Sequence, residues 1–215
     1  MGGAGLRGQS AGETSICTVG VSGSGLTYRG YDVVDLAENA TFEEVAFLLL
    51  HEKLPNSQEL KDYIEKLKSL RGLQPELRNT LEGIPKTAHP MDVLRTGCSV
   101  LGNLEQEEGF LNQTDHADRM LSAFPSILNY WYQFSHHGKR IDTETNDDTI
   151  GGHFLHLLHG KKPSQLHKQV MGVSLILYAE HEFNASTFAA RVCASTLSDI
   201  HSAVTSAIGT LRGPL

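Results

Sequence analysis

From Asp32 onward the apolar residues fall at a helical period, and most of the periodic segments are bounded by a capping residue, a Pro or a Gly. Side chains repeat every 3.6 residues on a helix and every 2 on a strand, so this pattern suits helices and little else. Thr41 with Glu44 forms a capping box ahead of Phe42, Val45, Leu48 and Leu49, and Pro55 stops that segment. Asn56 with Glu59 opens the next, with Leu60, Ile64, Leu67 and Leu70 in register and Arg71-Gly72 as its end. Pro75, suited to a first turn, starts a short helix carrying Leu77 and Leu81, and another covers about 90–102. After a polar loop at 105–114, a long apolar helix over about 115–137 carries Met120, Phe124, Ile127 and Trp131, with Pro125 expected to kink it. Further helices are expected near 149–159, 164–181, 185–197 and 199–211. The expected fold class is all-α, with about eight or nine helices over residues 32–215.

Residues 1–31 differ. A Gly-rich lead is followed by Ile16 to Val19 and Leu26 to Arg29, flanking a Ser-Gly-Ser-Gly run at 22–25. This predicts a small N-terminal β-hairpin, the one expected place for strands. The glycines lack GxGxxG spacing and no helix pattern follows them directly, so a dinucleotide loop is disfavoured.

Bulk properties exclude several classes. The net charge of −7 disfavours a general nucleic-acid binder. No apolar run approaches the roughly 20 residues needed to span a bilayer, and the polar N-terminus lacks the apolar core of a signal peptide. Cys17, Cys98 and Cys193 are odd in number and far apart, which predicts free thiols in a reducing compartment. The expected location is cytoplasmic, or the mitochondrial matrix in a eukaryote.

His153, His156 and His159 recur every three residues, so adjacent pairs on a helix could share a metal. No acidic residue at helical spacing completes such a site, and the interleaved Phe154, Leu155, Leu157 and Leu158 mark a buried helix, so core histidines are the default. His136, His137, Lys139 and Arg140 suit the negative end of a helix dipole. The run 146–149 reads as an N-terminal cap and lacks the ladder of a calcium loop. The run 178–187 puts His181 at the end of one helix and Asn184 to Ser186 at the start of the next. An imidazole there would sit beside free N–H groups, which favour anions; simple capping explains the same residues equally well. No spacing assigns a nucleophile–base pair.

Several motifs occur together in order: YRGYD at 28–32, FEEVAFLLLHEKLP at 42–55, HPMDVLRTG at 89–97, GGHFLHLLHG at 151–160, AEHEFNAST at 179–187 and AIGTLRGPL at 207–215. Together they resemble the citrate synthase family, from about residue 12 to the end. YRGYD, NYWY at 129–132 and the run around His181 look most like its 2-methylcitrate synthase branch, which condenses propionyl-CoA with oxaloacetate.

The resemblance implies a homodimer of helical subunits, each with a large and a small domain and an active site between them. It implies that 32–215 is most of the large domain. It also implies that the family's two further catalytic histidines and its aspartate lie beyond Leu215. The Gly213-Pro214 pair, a helix terminator leading into a loop, agrees with an incomplete domain. His181 matches a family histidine that binds oxaloacetate. Arg71 is a weaker candidate for contacting the anionic substrate, its default being a solvated helix cap. No cofactor is expected other than the coenzyme A thioester as substrate, and no metal. Alternatives are a citrate synthase using acetyl-CoA, or a non-catalytic dimerisation module built on the Gly- and Ala-containing helices at 90–102 and 185–209.

The 215-residue chain alone is expected to release no CoA from propionyl-CoA and oxaloacetate. Release in a standard thiol assay at about 10 per second, an ordinary enzyme rate, would mean that the catalytic residues have been misplaced.

Overall fold

The computed structural model describes residues 12–20, 25–109 and 111–214. Residues 1–11, residues 22–24 of the expected turn and the terminal Leu215 lie outside these. Strand β1 (Cys17–Val19) pairs antiparallel with β2 (Leu26–Tyr28), as the hairpin reading requires. A third strand not expected from sequence, β3 (Tyr31–Asp32), is added after Arg29 and Gly30, both with positive φ. The register sets Cys17 opposite Tyr28, and both side chains are buried on the same face.

Ten helices follow among the described residues. The sequence reading opened its first capped helix at Thr41. A short α1 (Val33–Asn39) precedes it, capped by Asp32, which accepts the Val34 N–H at 2.8 Å. The next two, α2 (Phe42–His51) and α3 (Ser57–Ser69), carry the expected capping boxes on Thr41 and Asn56. Then come α4 (Pro75–Glu82), α5 (Pro90–Leu104) and α6 (Gln113–His137), which is continuous across Pro125. The remainder are α7 (Ile150–His159), α8 (Gln165–Tyr178), α9 (Ala185–Ala194) and α10 (Ile200–Leu211). Two ends fall short of expectation. Helix α8 stops at Tyr178, leaving His181 outside it, and α9 stops at Ala194, before Leu197 takes a φ of 63°.

The main core gathers Leu77, Leu81, Leu101, Ile127, Trp131 and Ile208 from α4, α5, α6 and α10. Helices α5 and α6 approach so closely at Gly97 that a Cβ there would lie 2.5 Å from Ile127 Cγ2. A second cluster ties the sheet to α1, α2 and α8 through Cys17, Tyr28, Leu36, Leu48 and Ile176.

Between the clusters runs a buried polar seam that holds the irregular segment 142–149. Arg71 is only 1% exposed, and its Nη1 donates to the Thr145 carbonyl at 2.7 Å. His153, 0% exposed, bridges Ser126 Oγ and Thr145 Oγ1 at 3.0 Å each. His156 Nδ1 meets buried Asp147 at 2.6 Å, and the Ile150 N–H donates to buried Glu43 at 2.8 Å. Unpaired, such groups would each cost about 1–3 kcal/mol, so the seam fixes where the loop must lie. Burial, with Arg71 nearby, pushes the His153 pKa from 6.5 down to about 3.

Gly97→Val is expected to lower stability by about 1–3 kcal/mol through overpacking against Ile127, read as a urea midpoint. His153 is neutral in the native state at pH values where the unfolded chain takes up a proton. Its part of the stability is therefore complete above pH about 6.5 and shrinks below it, by about 2 kcal/mol at pH 5. Comparing the fall in urea midpoint from pH 7 to pH 5 for the parent and His153→Asn measures this, and the variant should show the shallower fall.

Candidate functional site

Helix α8 gives way at Tyr178 to a five-residue corner before Asn184 caps α9, accepting the Thr187 N–H at 2.9 Å. The corner is not held by α9, which has no buried residue and packs mainly along α10. The N-terminal hairpin holds it instead. The Tyr28 hydroxyl donates to the Ile176 carbonyl at 2.8 Å and accepts the Glu180 N–H at 3.3 Å. The Cys17 thiol donates to Glu180 Oε1 at 3.5 Å and accepts the Glu182 N–H at 2.9 Å. Glu182 Oε1 accepts the Val19 N–H at 3.1 Å, and Glu180 Oε1 also accepts the His181 N–H at 3.1 Å. Burial, then the nearby Glu180 carboxylate, pushes the Cys17 pKa up to about 11, so the group stays a thiol able to donate.

His181 sits at the middle of this corner, exposed, and its ring makes no hydrogen bond to any described residue. The next residue, Glu182, has a φ of 69°, in the left-handed region that non-glycine residues rarely adopt. The N–H groups of Ala185 and Ser186, at the head of α9, likewise have no partner among the described residues. An imidazole and two backbone donors therefore lie within five residues of one another, where the positive end of a helix dipole emerges, and these groups suit a carboxylate. Arg191, in the last turn of α9, holds its guanidinium 4.7 Å from the Phe183 ring of the corner, a cation that the sequence reading did not single out. The short link 195–199 turns α10 back along α9, which returns the end of α10 towards the head of α9. The corner itself lies on the surface; cavities of about 490, 370 and 310 Å³ lie elsewhere.

The other candidates separate. Arg71 is neither a solvated cap nor open to a substrate here, because its guanidinium is buried against Thr145. His153 and His156 bond to different partners and His159 is exposed, so the three rings are engaged separately. No group of three potential ligands occurs among the described residues. His136 and His137 close α6 beside Trp131 and Tyr132, as the dipole reading expects. Thr149 caps α7 by accepting the Gly152 N–H. Sequence reasoning missed Cys17, Tyr28, Glu180 and Glu182 as partners. They are about 150–165 residues apart in the chain, and no local spacing encodes contacts at that range.

The chain is 73% identical over 213 residues to a 2-methylcitrate synthase of Shewanella oneidensis, covering 99% of this chain and 57% of that protein. It is 38% identical to citrate synthase 2 of Bacillus subtilis, over 98% of this chain and 57% of the relative. The chain thus spans a little over half the length of the relatives it matches. Among solved structures, citrate synthase from Thermotoga maritima superposes with a TM-score of 0.84 at 36% identity, over 100% of this chain and 56% of that one. The ternary complex of carboxymethyl coenzyme A and oxaloacetate with citrate synthase from Thermoplasma acidophilum superposes with a TM-score of 0.90 at 28% identity, over 98% of this chain and 56% of that one. A family profile described as the citrate synthase C-terminal domain matches residues 5–215, and the chain therefore belongs to the citrate synthase family.

Proposed function

We propose that the whole protein condenses propionyl-CoA with oxaloacetate and water to give 2-methylcitrate and free CoA, and that His181 contacts the oxaloacetate. The observation that carries the site is the exposed His181 imidazole, without a hydrogen-bond partner among the described residues, in the corner that leads into the head of α9. An imidazole N–H donates to a carboxylate or keto oxygen, and polarising the keto group draws the carbon nucleophile to it. In the overall reaction the α-carbon of the acyl-CoA loses a proton and attacks the oxaloacetate carbonyl carbon, whose oxygen becomes a hydroxyl. Water then cleaves the thioester, leaving the new carboxylate and releasing the thiol of CoA. No cofactor beyond the CoA thioester is needed for this balance. The 73% identity to a 2-methylcitrate synthase favours propionyl-CoA over acetyl-CoA, the second reading.

On this reading residues 32–215 form a helical unit of large-domain type, and the protein works in propionate catabolism in the cytoplasm, or in the matrix of a eukaryote. No helix among the described residues is long and apolar enough to cross a membrane. A homodimer is supported by the exposed Leu166, Val170, Leu177, Tyr178 and Val192, apolar surface that a partner subunit would remove from water.

The test is CoA release by the complete protein with each acyl-CoA in turn. Propionyl-CoA is expected to be favoured by about 10-fold or more in kcat/KM, the range one methylene supplies. Equal or reversed preference would return the protein to acetyl-CoA chemistry. His181→Ala should raise the oxaloacetate KM or lower kcat by about 100-fold, the usual scale for losing a hydrogen-bond donor to developing charge.

A further inference from the structure

We propose that the N-terminal hairpin is a positioning element for the substrate corner, acting through Glu182 and Tyr28; this rests on the reading of His181 as the oxaloacetate contact. Neither neighbouring helix can do this. Helix α8 ends three residues before His181, and α9 buries no side chain. What fixes the imidazole is the backbone on either side of it, and both sides are tied to the hairpin.

On the N-terminal side, Tyr28 Oη bridges the Ile176 carbonyl and the Glu180 N–H, so the last turn of α8 and the second residue after it share one buried hydroxyl. On the C-terminal side, Glu182 is gripped at two points by β1: its N–H by Cys17 Sγ at 2.9 Å and its carboxylate by the Val19 N–H at 3.1 Å. These two bonds explain how a glutamate tolerates a φ of 69°, a conformation costing about 1 kcal/mol or more that neighbouring structure must impose. The left-handed residue is the bend itself. It sends the chain from His181 into the Asn184 cap and so sets the angle between the imidazole and the head of α9. Glu182 and Tyr28 touch no reacting atom in this account; they act through His181.

The experiment uses the complete protein, with oxaloacetate and propionyl-CoA varied separately, and four variants. Glu182→Ala removes the carboxylate grip, Glu182→Gln keeps an acceptor for the Val19 N–H, Tyr28→Phe removes the bridge, and His181→Ala is the reference. The expected result for Glu182→Ala and Tyr28→Phe is an oxaloacetate KM raised about tenfold, with the acyl-CoA KM within about twofold of the parent. Glu182→Gln should recover most of the loss. Amide exchange at residues 180–184 should quicken in Glu182→Ala and not in Glu182→Gln. A Glu182→Ala enzyme with unchanged oxaloacetate KM, while His181→Ala raises it, overturns the positioning role and leaves the proposed function standing. Parallel losses for both substrates, with a lowered Tm and no rescue by Gln, reduce the hairpin to a stabilising element and likewise overturn the inference. If His181→Ala itself leaves the oxaloacetate KM unchanged, both readings fall together. Glu182 lies at the surface edge of the corner, so its variants keep the test available even if Tyr28→Phe does not fold.

Discussion

The Tyr28 hydroxyl, shared between the Ile176 carbonyl and the Glu180 N–H, joins parts of the chain about 150 residues apart. Around it Cys17, Leu36, Leu48 and Ile176 form one apolar cluster, so the hairpin, α1, α2 and α8 close on one another. Loop-closure entropy grows only with the logarithm of length, so a distant contact of this kind is affordable once apolar burial accompanies it. The hydroxyl supplies direction where the apolar contacts supply attraction. It selects the rotation of the α8 end relative to the sheet, and the corner carrying His181 follows from that choice.

The buried polar seam has a different task. Segment 142–149 has no regular structure, so its backbone groups must find partners elsewhere. Arg71 takes the Thr145 carbonyl, His153 takes the Thr145 hydroxyl, and Glu43 takes the Ile150 N–H that opens α7. Glu43 belongs to α2, His153 to α7 and Arg71 lies two residues past the end of α3, which makes the loop a common anchor for these three helices. Gly72 belongs to the same arrangement: a Cβ there would lie 2.7 Å from Glu144 Oε1. The seam explains why Arg71 is unavailable to a substrate. A guanidinium already committed to a buried carbonyl would leave that carbonyl orphaned if it moved.

Much of the architecture was legible in the residues themselves. Thr41 with Glu44 and Asn56 with Glu59 open helices as their spacing requires, and Pro75 and Pro90 stand at first-turn positions. Caps are local, and the chemistry that ends a helix lies within four residues of its end. The failures are also local in kind. Helix α1 does not stand out as an element of its own in the sequence, because seven residues are too few to establish a period. The sequence pattern extends α8 beyond its observed end because the apolar run into Tyr178 continues the helical period; the chain leaves the helix there to meet the hairpin, and Tyr178 remains 86% exposed.

The sequence by itself determined the helical class, the order of the elements, most of their boundaries and the position of His181 at a junction between helices, because period, capping and chain breaking are decided by near neighbours. Only the tertiary structure decided that Arg71 is sealed in the seam, that the three α7 histidines part company, and that Cys17, Tyr28, Glu180 and Glu182 meet around the corner. Those outcomes depend on which groups lose water together when distant segments pack, and no stretch of neighbouring residues carries that information.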